Sequence, residues 1–127
     1  NLKLAFKLKA DGIYISAFNK DLSINRLKSS KLKIIGSAHN FKELNVKTLQ
    51  GCKKILFSRL FKTSYASKPD YFGVVRFNLF KLAFKKNLIP LGGIRLKNLN
   101  KLKITKCNSF AILSEVKKKP AIISRLF

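Results

Sequence analysis

The amino-acid sequence predicts an α/β fold built on a parallel sheet, on three observations. Compact apolar runs recur inside stretches that carry no charge. Lys-rich amphipathic stretches separate these runs. Each apolar run gives way to small, polar residues. Continuous rather than alternating apolar runs belong to strands buried on both faces, which is the environment of a parallel sheet.

In chain order, residues 1–10 alternate Lys with apolar side chains and read as an opening helix. Ile13-Tyr14-Ile15, Ile34-Ile35, Ile55-Leu56-Phe57, Leu88-Ile89 and Phe110-Ala111-Ile112-Leu113 are the five predicted strands. Their starts fall near residues 12, 34, 55, 87 and 108, and the longer third step leaves room for a loop over 62–73. Phe41, Leu44, Thr48 and Leu49 recur at helical spacing. Asn40 is the predicted N-cap of that helix, Glu43 completes a capping box, and Gly51 follows as a C′ residue. Phe77, Phe80, Ala83 and Phe84 mark a second helical stripe, and Leu96, Leu99 and Leu102 a short third helix. Pro120 suits the first position of a last helix over 121–127. A helix followed by five strand–helix units fits either a (β/α)8 barrel or a doubly wound sheet.

Composition narrows the function. The chain has 127 residues, a formal charge of +23 and 46% hydrophobic residues, a share that argues for one folded domain despite the charge. It opens on Asn and contains no Met, so a fragment is expected. The longest uncharged stretches are eight residues, too short for a transmembrane helix. No membrane partner is therefore expected. Cys52 and Cys107 stand 55 positions apart with no CxxC pattern and a single His, which argues against zinc and against a disulfide scaffold. Free thiols fit a reducing compartment, and a cytoplasmic location is expected. Of the 28 basic residues only five are Arg. The Lys excess reads as a surface coat of a compositionally biased chain, with a nucleic-acid binder as the alternative. Few Arg and no exposed aromatic row count against that alternative. P-loop, GxSxG and HExxH motifs are absent.

The segments after the strands, Ser16-Ala17-Phe18-Asn19, Ser37-Ala38-His39-Asn40, Ser58 to Thr63, Gly92-Gly93 and Ser114, place small residues where α/β folds bind ligands. Five of these regions carry a resemblance. Ala10-Asp11-Gly12-Ile13-Tyr14-Ile15, Ile35-Gly36-Ser37-Ala38-His39-Asn40 with Glu43-Leu44, Phe61-Lys62-Thr63 with Ser67-Lys68-Pro69, Ile89-Pro90-Leu91-Gly92-Gly93-Ile94 and Phe110-Ala111-Ile112-Leu113-Ser114 resemble, in order, segments of the thiamine-phosphate synthases. The match runs from about residue 5 to the end and corresponds to the family's fourth to eighth strands.

The resemblance implies a partial (β/α)8 TIM barrel of five parallel strands alternating with helices. Residues 1–127 then form a single C-terminal portion, with three N-terminal βα units absent. It implies a transferase of thiamine biosynthesis that condenses hydroxymethylpyrimidine diphosphate with thiazole phosphate, releasing diphosphate, with Mg²⁺. Phosphorylated thiazole and pyrimidine diphosphate are the implied partners. Lys68, or Lys62 in its place, is implied to contact the diphosphate, as is Ser37. Thr63 and Ser67 are implied to bond the thiazole substrate or its phosphate. Gly93, Leu113 and Ser114 are implied to form the phosphate site. Each has a plain structural alternative: a surface Lys, turn chemistry around Pro69, a tight strand-to-helix turn, a capping hydroxyl.

The family's Mg²⁺-binding Asp aligns with Asn19, and Asp21, two positions on, is the candidate ligand in its place. A neutral Asn is a poorer Mg²⁺ ligand than a carboxylate. The related thiazole tautomerases need no Mg²⁺ and use a His at the segment of His39, so a tautomerase is the second implied activity. A catalytically inactive barrel remnant or basic anion binder is the third. An open barrel edge at Ile13 to Ile15 is expected to promote self-association.

Overall fold

The structure, a computed structural model, describes residues 2–63, 70–85 and 87–113. Four strands, β1 (Gly12–Ile15), β2 (Lys33–Ala38), β3 (Lys54–Ser58) and β4 (Asn87–Leu91), alternate with helical segments. The α-helices among the described residues are α1 (Leu2–Lys7), α2 (Phe41–Leu49), α3 (Gly73–Phe84) and α4 (Leu99–Leu102). The strands form one sheet in the order β1-β2-β3-β4. The β1/β2 and β2/β3 pairs are parallel, with Gly12 opposite Lys33 and Ile35 opposite Lys54 at their starts. This is the α/β alternation of a (β/α)8 barrel.

Burial explains why the strand sequences do not alternate. Ile34, Gly36 and Ala38 on β2 and Ile55 and Phe57 on β3 are buried, whereas Ile35 and Leu56 between them are half-buried. Gly36 faces Lys47 and Cys52 at the α2 end, so the deeply buried set lies under that helix. Both faces are apolar, as a two-sided sheet requires. Tyr14 on β1 is the exception at 60% exposed.

Two segments depart from expectation. The predicted fifth strand over 110–113 is a single parallel bridge, Leu91 to Ala111, with the Ala111 N–H donating to the Pro90 carbonyl at 3.0 Å. Phe110 and Leu113 are exposed, and without apolar cover on both sides the run does not extend into a ladder. The expected α-helix after β1 is a 3₁₀ helix, Leu22–Ser29. Its Ser, Asn and β-branched Ile residues are weak α-formers, and the Ser30 hydroxyl donates to the Leu27 carbonyl at 2.7 Å, closing the segment early. The expected helix over 121–127 lies outside the described residues.

The chain divides into two compact units, Asn1–Phe57 with Lys86–Leu88 and Ser58–Lys85 with Ile89–Phe127. The first has its core at Ile15, Ile34, Ala38, Leu44, Ile55, Phe57 and Leu88. The second buries Leu60, Phe77, Ile94 and Leu102. Within the second, Phe72 and Phe80 pack edge to face with centroids 5.4 Å apart. Asn78 Nδ2 donates to the Ile104 carbonyl at 3.0 Å, fastening α3 to the 3₁₀ turn Lys103–Thr105.

Candidate functional site

In the second unit, the segment leaving β3 is zipped to the end of β4. Leu60 N–H donates to the Leu91 carbonyl at 2.9 Å and Phe61 N–H to the Gly92 carbonyl at 3.0 Å. Gly93 sits beneath this crossing with φ +68°. A Cβ there would run into the Phe61 carbonyl oxygen and come within 2.6 Å of the Lys62 carbonyl oxygen. The sequence reading assigned this glycine to the close approach of a phosphate. In the structure the backbone that approaches it is the chain's own, from Phe61 and Lys62.

The loop after Gly93 is held by one side chain. Asn98 Nδ2 donates to the Gly93 carbonyl and Asn98 Oδ1 accepts from the Arg95 N–H, both at 2.8 Å. A cleft of about 300 Å³ opens between these segments, lined by Phe61, Lys62, Thr63, Gly93, Arg95, Lys97 and Asn98. Among the described residues that line it, Lys62, Arg95 and Lys97 are cations and none is a carboxylate. Arg offers a planar fork and Lys a point charge, the complementary ways of holding phosphate oxygens.

The first unit carries a second cleft at the carboxyl end of β1, of about 500 Å³, bounded in part by Tyr14, Ser16, Asn19 and Asp21. The Tyr14 hydroxyl donates to Ser37 Oγ at 2.8 Å, and Ser37 is buried. The loop at the cleft's lip is clamped from α2. Lys47, with no exposed surface, donates through Nζ to the Asn19 carbonyl at 2.6 Å and to Gln50 Oε1 at 2.8 Å. Gln50 Nε2 in turn donates to the Asn19 carbonyl at 3.1 Å and to the Asp21 carbonyl at 2.9 Å. Burial pushes the Lys47 ammonium below the usual lysine range, against the opposing influence of Cys52 and Glu43. Burial likewise pushes the Cys52 thiol up, and Lys47 opposes it.

Asp21 and Asn19, the residues at the implied Mg²⁺ position, are used by the loop's own backbone. Asp21 Oδ1 accepts from the Ser23 N–H at 2.9 Å and caps the 3₁₀ helix, which holds its carboxyl below the usual range. Asn19 Oδ1 accepts from the Asp21 N–H at 2.8 Å. Asn19 Oδ1 and Asp21 Oδ1 are thus each engaged by a backbone N–H. No group of three His, Cys, Asp or Glu side chains is placed to hold a metal among the described residues.

His39 follows β2 and is half exposed. Its Nδ1 lies 3.0 Å from Glu43 Oε2, and the same oxygen accepts the His39 N–H at 2.7 Å. Asn40 Oδ1 accepts from the Glu43 N–H at 2.9 Å, the predicted cap, and Asn40 Nδ2 donates to Glu43 Oε1. Partial burial raises the Glu43 pKa, but the bonds from His39 and Asn40 outweigh it and the net shift is downward. A carboxylate thus orients the ring through Nδ1 and leaves Nε2 as the nitrogen for proton exchange.

Of the residues singled out from sequence, Thr63 and Gly93 meet in the cationic cleft, with Lys62 beside them. Leu113 is described but does not line it. Ser67, Lys68 and Ser114 lie outside the described residues. Ser37, Asp21 and His39 belong to the other unit. Arg95 and Lys97 were missed, although their place within four residues of the Gly-Gly pair was a usable signal. Lys47 and Gln50 carried no signal, since a Lys among many reads as solvated.

A parallel sheet of four strands alternating with helices, with loops at the strand ends and a cationic cleft beside a Gly-Gly turn, defines an α/β protein of the barrel type. A sequence profile of the family described as thiamine monophosphate synthase matches residues 1–116, and the chain belongs to that family. It is 28% identical over 116 residues to a thiamine-phosphate synthase of Prochlorococcus marinus, covering 89% of this chain and 33% of the relative. It is 29% identical over 119 residues to one from Flavobacterium psychrophilum, covering 88% of this chain and 58% of the relative. Its fold is similar to that of thiamine phosphate pyrophosphorylase from Pyrococcus furiosus, with a TM-score of 0.70 at 16% identity, covering 99% of this chain and 63% of that one. The chain thus spans between a third and two thirds of the length of these proteins.

Proposed function

We propose that this chain supplies the thiazole-phosphate half of a thiamine-phosphate synthase-type site, as the C-terminal portion of a (β/α)8 barrel completed by further βα units. The observation that carries this reading is the cleft in which Thr63 and Gly93 meet Lys62, Arg95 and Lys97. The three cations hold a phosphate dianion, the Thr63 hydroxyl and backbone N–H groups orient it, and Asn98 keeps the loop in shape. Phosphorylated thiazole is the substrate of this half. The pyrimidine diphosphate belongs to the β1–β2 end, near Tyr14 and Ser37. A cytoplasmic setting suits such chemistry. No helix among the described residues is long and apolar enough to cross a membrane.

A phosphate titration followed by NMR tests the cleft. Shifts are expected to concentrate on Lys62, Thr63 and residues 93–98. Arg95→Ala combined with Lys97→Ala is expected to weaken binding at least ~10-fold, as loss of charge-assisted bonds does. Shifts spread evenly over the Lys-rich surface, or an unaffected double variant, remove the assignment. Gly93→Val is a poor test of phosphate contact, because it displaces the Phe61–Lys62 backbone first.

A second reading, a thiazole tautomerase, is favoured by one specific observation: the Glu43-oriented ring of His39. In it the imidazole moves a proton at Nε2 without metal. His39→Ala abolishing tautomerisation, with phosphate binding intact, is its expected signature.

A further inference from the structure

The apolar face of α3 that points away from the core has no role in either reading. Val75, Leu79 and Leu82 lie at i, i+4 and i+7 and are 75%, 61% and 73% exposed. The opposite side of the helix buries Phe77, so α3 carries a second apolar face besides the one turned to the core, which a helix at a protein surface ordinarily does not. Ile104 is likewise exposed, in the 3₁₀ turn that Asn78 fastens to α3. Lys81 Nζ donates to the Thr105 and Lys106 carbonyls, which fixes the two elements to each other. The border is cationic: Arg76 and Lys85 are exposed along the helix, and Lys103 precedes Ile104. Asp70 is the one carboxylate among the described residues of this unit.

We infer that this face attaches the protein to an anionic lipid surface. Charge decides against a second copy, since two chains at +23 repel and neither has an acidic rim to meet the other's Arg76 and Lys85. The outer face of one helix is convex, so it offers no groove to a partner helix, whereas a bilayer interface deforms around it. Three or four aliphatic side chains give only marginal, reversible binding by themselves, and a polybasic surface supplies the second attraction that makes it stable. This is in-plane attachment, distinct from the spanning segment that the sequence excludes.

The chain contains no Trp, so Leu79→Trp places a single reporter in the face. With vesicles of phosphatidylcholine mixed with phosphatidylserine, at physiological salt, its emission is expected to shift to the blue. With phosphatidylcholine alone it is expected to stay put. In co-sedimentation, Leu79→Ser with Leu82→Ser is expected to lower the bound fraction at least ~10-fold. Leu49→Ser, an equally exposed leucine of α2, is expected to bind as the parent does. Unchanged thermal unfolding of the serine variant shows that its fold survives. An unshifted emission, or equal sedimentation of the parent and the double variant, overturns the inference, the latter by showing that lysine charge alone attracts the vesicles. Stripe-dependent binding to an acidic helical peptide but not to vesicles also overturns it, in favour of a protein partner.

Discussion

At the scale of single residues, Lys47 shows how far a side chain's role departs from its type. A buried ammonium without a carboxylate costs several kcal/mol unless oxygens surround it. Here a carbonyl and an amide oxygen do so, and both belong to groups that shape the β1 loop. Gly36 makes the site possible, since a Cβ there would lie 2.8 Å from Cys52 Sγ and 2.9 Å from Lys47 Cδ. The pH dependence follows. The folded-state pKa of Lys47 lies below its ordinary value of 10.5. Between those two values the unfolded chain binds a proton that the folded chain does not, so this residue's contribution to stability rises with pH through that window. Lys47→Met keeps the volume and removes the titration. Its stability relative to the parent is therefore expected to be most favourable near neutral pH and to decline as pH approaches about 10.5. Urea midpoints of the two proteins at several pH values check this. A difference that is flat with pH shows that Lys47 does not titrate with folding.

At the scale of elements, α2 was fully legible and the segment between β1 and β2 was not. The Asn40 cap, the helix limits Phe41–Leu49 and the C′ residue Gly51, at φ +84°, all follow from sequence-local chemistry. Apolar runs placed the four strands within a few residues, because a run buried on both faces needs no partner to be recognised. The 3₁₀ helix and the lone bridge at Ala111 were not legible. The bridge depends on what covers an apolar run from outside, and the 3₁₀ helix on a hydroxyl bond that closes it, neither of which spacing reports. The cationic cleft was half legible: Thr63 and Gly93 belong to recognisable segments, while the bonds of Asn98 that bring Arg95 and Lys97 beside them are tertiary.

The cap itself is testable. Asn40→Ala removes an acceptor for the Glu43 N–H and a donor to Glu43 Oε1, and is expected to cost ~1 kcal/mol. The lowered Glu43 pKa sets a second signature: its stabilisation is present above the ordinary value of 4.5 and is lost as pH falls through the folded-state value. Asn40→Ala weakens the set of bonds that lowers the pKa, which narrows the window from its acid side, so the acid loss of stability is expected to be smaller and to level off at higher pH than in the parent. Thermal melts from neutral to acid pH measure both effects.

At the scale of the whole molecule, two forces oppose each other. β1 ends the sheet order, with β2 as its partner on one side, and Tyr14 presents an exposed aromatic face beside it. A terminal strand with apolar surface is a template for pairing with another chain. Against this stands a charge of +23 on 127 residues, which drives copies apart. The two act over different ranges. Strand pairing is a contact interaction that salt leaves nearly intact, whereas repulsion between surface charges is screened beyond ~10 Å at 0.1 M salt and beyond ~3 Å at 1 M. Self-association is therefore expected to increase with ionic strength, opposite to an assembly held together by ion pairs. Tyr14→Lys puts a charge on the edge and removes the aromatic face, and is expected to hold the chain monomeric at salt concentrations where the parent associates. Sedimentation velocity across a salt series, on both proteins, reads the outcome. A parent that stays monomeric throughout would mean that the β1 edge is already protected. Association that weakens as salt rises would place the contact on charged surface instead.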